Sequence, residues 1–268
     1  MIRRILVRAV VGVLISRVAL SVSALATDSS VAVESVVPKN MKLFLLIGQS
    51  NMAGRGKVED QDKVTHPRIF MQTKDMKWVL AKDPVHWDNP GAGVGLCSTF
   101  ARVLASNDTS MTIGLIPCAA GGTPLSSWMP GGQANSLFSN AVIRTKEALK
   151  SGTLAGILWH QGESDAGKPE LEASYAERFK TMIAQLRKDL NADKVPVIIG
   201  ELGQHLGDSE QVPFNKVIHS IPDIVPNCAW VSAKDLRCIL HFVNAAGYRT
   251  LGKRYAETYL DLKGKMKE

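Results

Sequence analysis

The chain carries serine, histidine, carboxylate and amide side chains beside glycines, each group directly after an apolar run of strand length. In Ile47-Gly48-Gln49-Ser50-Asn51-Met52-Ala53-Gly54 a serine follows the first such run and is expected on a tight turn into a helix. Free N–H groups and the helix dipole favour a developing negative charge there, so Ser50 is a candidate nucleophile for acyl transfer. A simple N-cap is the alternative, since Ser and Asn are common caps. The segment is not the G-x-S-x-G elbow, because Met52 stands where the second glycine would be. Gln49 and Asn51 flank the serine and are candidates for substrate contact.

Three further strand ends extend this chemistry. Pro117-Cys118-Ala119-Ala120-Gly121-Gly122-Thr123 is a run of small residues whose backbone N–H groups can approach a ligand closely, against the plain reading of a loop glycine pair. In Leu158-Trp159-His160-Gln161-Gly162-Glu163-Ser164-Asp165, the Gln161 amide can donate to an oxyanion and Glu163 can orient a histidine. Glu163 and Asp165 as caps of the next helix, with His160 a hydrogen-bonded structural histidine, is the other reading. Finally, His241 opens the last amphipathic segment, outside any apolar stripe, and is the best-placed base of the six histidines.

Elements that could hold these groups alternate along the chain. Continuous apolar runs at residues 43–47, 112–117, 154–159, 195–200 and 229–232 read as strands of a parallel sheet covered on both faces. Segments with helical spacing at 96–104, 136–149, 171–190, 210–221 and 245–262 lie between or after them. The predicted architecture is therefore α/β, and in such a sheet ligands bind beyond the carboxyl ends of the strands, where the four segments fall. Residues 54–95 hold Pro67, Trp78, Pro84, Trp87 and Pro90, and read as a long excursion over the mouth of the sheet.

The N-terminus is of a different kind. Residues 1–26 have a basic start, a mostly apolar stretch from Ala9 to Val22 and an Ala24-Leu25-Ala26 cleavage signal, the marks of a signal peptide. Arg17 interrupts the apolar run, leaving fewer than the roughly 20 residues a membrane span needs. The expectation is an exported protein, periplasmic or secreted, with no stable membrane span after cleavage, an exposed lead-in over 27–40 and one domain over 41–268. Loss of the leader's four arginines, with no acid, lowers the net charge from +7 to +3, which does not argue for nucleic acid. Cys97, Cys118, Cys228 and Cys238 permit up to two disulfides, and free thiols and a single disulfide are both open. Their spacing matches no zinc pattern.

Together and in this order, G-Q-S-N-M, A-A-G-G-T, W-H-Q-G-E-S-D and the terminal H-F-x-x-x-A-x-G-Y-R-x-L-G-K-R-Y-A resemble the SGNH-hydrolase superfamily. The likeness is to the branch with carbohydrate esterase family 6 and the sialate O-acetylesterase-like domains, over about residues 41–262. The resemblance implies a flavodoxin-like three-layer α/β/α sandwich with a five-stranded parallel sheet, no metal and no organic cofactor. It further implies a serine esterase that removes O-acetyl groups from a carbohydrate, acetyl xylan or sialate-type, through an acetyl-enzyme. Ser50 would attack, His241 would move the proton, and the Ser50 N–H, Gly121 or Gly122 and Gln161 would form the oxyanion hole. Asp83 and His86, from Asp83-Pro84-Val85-His86, resemble a stretch near the family's site and are candidate substrate contacts. The family pattern ends in D-x-x-H, and Cys238 occupies the aspartate position. Glu163 is the favoured orienting acid and Asp235, six residues before His241, the alternative. A competing reading is a catalytically impaired carbohydrate-binding protein, with Trp78, Trp87 and Trp128 as stacking surfaces. A metal-dependent phosphoesterase is disfavoured, because no H-x-H or paired-carboxylate cluster occurs.

Overall fold

The structure is a computed structural model that describes residues 38–266 apart from Asp88, Asn135, 204–210, Arg237, Leu240 and His241. The five expected strands are present as β1 (Met41–Gly48), β4 (Ile113–Pro117), β5 (Gly152–His160), β6 (Val197–Gly200) and β7 (Cys228–Val231). They pair in parallel in the order β4-β1-β5-β6-β7. This is a doubly wound order with β1 at the switch point, where the chain turns from one side of the sheet to the other.

The sheet is wider than the expected five strands. From within the supposedly irregular excursion, β2 (Ile69–Gln72) joins β4 in parallel and β3 (Trp78–Leu80) pairs antiparallel at the edge, giving seven strands. These two are short, and β3 buries only Trp78, so neither makes a continuous apolar run. A two-stranded ribbon, β8 (Cys238–Ile239) with β9 (Phe242–Val243), precedes the last helix.

All five amphipathic segments fold as helices: α3 (Cys97–Asn107), α4 (Leu137–Ala148), α5 (Pro169–Asp189), α6 (Gln211–Ile224) and α7 (Ala245–Lys265). Two short ones, α1 (Ser50–Ala53) and α2 (Asp60–Lys63), lie in the segment after β1. Successive β1 side chains point to opposite faces. Phe44 and Leu46 pack with residues of α3 and α7, while Leu43, Leu45 and Ile47 pack with residues of α4, α5 and α6. Three layers result, with the central strand buried on both faces. Among the described residues no helix is long and apolar enough to cross a membrane. Cys97 and Cys228 are buried free thiols, and Cys118 is buried as well.

Candidate active site

The end of β1 is gripped from both sides. The Gln49 N–H donates to His160 O at 3.0 Å, and the Gly48 carbonyl accepts from the Ala120 N–H at 2.9 Å. Gly48 has φ +137°, and a Cβ there would lie 2.2 Å from His160 O, so conformation and close approach both require glycine. Ser50 is thereby placed at the start of α1, with Gln49 in the capping position and no side-chain cap. The N-cap reading of Ser50 does not hold. With only four residues, α1 contributes little dipole, and the Ser50 N–H is what remains to act there.

Ser50 opens onto a cavity of about 930 Å³. Cys118, Ala119, Ala120, Gly121 and Gly122 border it on one side, and Trp87, Asn89, Leu137 and Phe242 also line it. Among the described residues the N–H groups of Ser50 and Gly121 find no protein acceptor. Gly121 lies over the serine, while Gly122, at φ +71°, turns toward open space. The described lining carries Arg55, Lys74 and Arg144 and no carboxylate. Arg144 is committed to structure, donating to Pro117 O at 2.8 Å and Thr73 O at 3.2 Å with its Cζ 4.8 Å from the Trp87 ring.

Glu163, from the turn after β5, is tied to the residue that follows the serine. Its Oε1 accepts a hydrogen bond from Asn51 Nδ2, and Asn51 Oδ1 accepts from the Tyr248 hydroxyl at 2.5 Å. The carboxylate is thus fixed one residue from the nucleophile by a chain running to α7. Asp235 is exposed on a turn with φ +66°. His241 lies outside the described residues; its neighbour Phe242 lines the cavity.

Several expected contacts are corrected. Gln161 is fully buried, and its Nε2 donates to Asp165 Oδ2 at 2.7 Å, Gln49 Oε1 at 3.1 Å and Thr123 O at 3.2 Å. Its Oε1 accepts from the Tyr175 hydroxyl at 2.7 Å. An amide with both hydrogens committed below the floor is not presented to the cavity, so Gln161 holds the Gly121–Thr123 loop from beneath instead of donating to an oxyanion. Gln49 and Asn51 are buried in the same polar layer and do not line the cavity. His160 is structural: the Tyr255 hydroxyl gives its one hydrogen to Trp159 O at 2.7 Å, so His160 Nδ1 must be the donor to Tyr255, at 3.0 Å. Burial pushes His160 down to about 4, keeping it neutral.

Asp83 and His86 also stand away from the cavity surface, at 5% and 0% exposure, and their segment reaches it through Trp87 and Asn89. Burial holds His86 down to about 3 and pushes Asp83 up to about 7. An unfolded aspartate titrates near 3.9, so between about 4 and 7 the folded state retains a proton that the unfolded state has released. Stability then falls as pH rises through that window. Asp83→Asn is expected to raise Tm at pH 8 and to change it much less at pH 5. Equal shifts in melts at the two pH values would contradict this.

Comparison with known proteins matches residues 40–261 to the family model described as carbohydrate esterase, sialic acid-specific acetylesterase. The chain belongs to this family. It is 36% identical over 186 residues to the probable carbohydrate esterase At4g34215 of Arabidopsis thaliana, covering 62% of this chain and 70% of that one. The X-ray structure of the Arabidopsis protein superposes with a TM-score of 0.75 at 30% identity, over 84% of this chain and 99% of that one. The crystal structure of NanS gives 0.68 at 17% identity, over 86% and 99% of the two chains. XAC1771, a carbohydrate acetylesterase from Xanthomonas citri, gives 0.65 at 18% identity, over 82% and 56%. The last two establish likeness of fold. Membership makes the chain a carboxylic ester hydrolase of the carbohydrate esterase kind, with a sialate O-acetylesterase-like domain. The impaired-binder reading is not favoured, and two of its three tryptophans are buried: Trp78 is 8% and Trp128 1% exposed.

Proposed function

We propose that the protein removes O-acetyl groups from a carbohydrate through an acetyl-enzyme on Ser50, with His241 as base and acid and Glu163 as the orienting carboxylate. The observation that carries this reading is Ser50 itself, which opens onto a cavity beside the uncommitted N–H groups of Ser50 and Gly121. A tetrahedral oxyanion is stabilised by donors already aimed at it. The cations of Arg55 and Lys74 on the cavity wall favour an acidic sugar, such as an acetylated sialate, over neutral acetyl xylan. Release of acetate from O-acetylated sialic acid and from acetylated xylan, followed side by side, tests both parts. Release from neither would overturn the esterase assignment to acetylated sugars, and faster release from xylan would overturn the acidic preference.

We further propose export through residues 1–26. Recovery of the mature protein beginning near Thr27, in the periplasmic or medium fraction, is the expected result.

A further inference from the structure

Two backbone N–H groups leave the oxyanion short of a side-chain donor, since Gln161 is committed beneath the floor. Gly121 shows where such a donor would act. A Cβ added to it would lie 2.9 Å from Arg55 Nη2, 3.6 Å from Asn89 Nδ2 and 3.9 Å from Ser50 Cβ. The space left by the missing side chain is thus an atom-sized recess, within hydrogen-bond reach of a guanidinium and beside the carbon that bears the nucleophile.

The guanidinium is held in place without being used up. Nη1 donates to Gly54 O at 2.9 Å, Nη2 donates to Asn89 Oδ1 at 3.3 Å, and Cζ lies 5.7 Å from the Phe242 ring centre. Among the described residues two of its five N–H donors find acceptors, and three remain. Asn89 Oδ1 also accepts from the Gly91 N–H at 3.4 Å, which fixes the amide with Nδ2 toward the recess.

We propose that Arg55, oriented by Asn89, is the side-chain donor of the oxyanion hole. This rests on the esterase reading. In the attack, the Ser50 Oγ–carbon bond forms, the serine proton passes to the base, and the carbonyl π pair moves onto the oxygen seated in the recess. Arg55 donates to that oxygen more strongly as charge builds. The pair then returns, the bond from carbon to the sugar oxygen breaks, and that oxygen takes the proton from the base. Water repeats the sequence with Ser50 as leaving group, and Arg55 keeps its own protons throughout.

The test uses p-nitrophenyl acetate, a neutral ester on which a role in binding an acidic sugar would be silent. Parent, Ser50→Ala, Arg55→Ala, Arg55→Lys and Gly121→Ala are compared for kcat, KM and Tm. Arg55→Ala is expected to lower kcat by about 10²-fold with KM little changed, and low-millimolar guanidinium is expected to restore part of the loss. Arg55→Lys should fall between the two. Gly121→Ala, which fills the recess at a position without left-handed backbone, should lose kcat to a similar degree while keeping its Tm. Undiminished kcat in Arg55→Ala, a rise in KM alone, or an active Gly121→Ala would overturn the proposal; should Arg55→Ala fail to fold, Gly121→Ala decides. A parent no faster than Ser50→Ala would overturn the esterase reading as well.

Discussion

Ser50→Ala is expected to lower kcat for acetate release by about 10⁶-fold, because the covalent path closes entirely once its nucleophile is gone. Folding should be nearly untouched. The Ser50 side chain caps no helix end, and the grip on β1 runs through Gln49 N–H and Gly48 O, which the substitution leaves alone. Residual turnover from the donors of the oxyanion hole should remain measurable. Circular dichroism and Tm matching the parent, beside a collapsed kcat, is the expected pair of results. A kcat within tenfold of the parent would mean that another group attacks the ester.

Glu163→Gln is expected to cost about 10⁴-fold in kcat, the loss seen when a serine hydrolase keeps its geometry but lacks the charge of its orienting acid. The glutamine is the same shape and can still accept from Asn51 Nδ2, which keeps that link to the Tyr248–Asn51 chain. What disappears is the negative charge that would stabilise an imidazolium and select its tautomer. Asp235→Asn is the matched control. Its carboxylate is exposed on a turn, where water screens it, and the substitution should leave kcat within a few-fold of the parent. Near-normal turnover in Glu163→Gln together with a collapse in Asp235→Asn would reverse the assignment.

The five central strands were legible because burial on both faces forces unbroken apolar runs, and the helices because one face of each is polar. Strands β2 and β3 were not, being four and three residues long at an edge where partial exposure breaks the pattern. The segments bordering Ser50 were legible as strand ends. The direction of the Gln161 side chain was not, since it depends on Tyr175, Asp165 and Gln49 closing around it from three separate parts of the chain. Asp83 and His86 could not be told from surface residues, because their type suggests exposure and only the packing of their loop buries them. Arg55 and Asn89 gave no signal in spacing. The arginine between two glycines after the serine motif, Gly54-Arg55-Gly56, was the one local cue available, and it becomes informative only when Gly121 is seen beside it.

The two-sided grip on β1 has a consequence for how the enzyme is lost on heating. Local opening draws on segments with few buried contacts, and the strand that delivers the nucleophile is the reverse of that: 0–1% exposed from Leu43 to Ile47 and bonded to neighbours on both edges. The seat of Ser50 therefore has no small-scale route to disorder. Heat inactivation should coincide with global unfolding, and the amides of this strand should be among the slowest in the molecule to exchange.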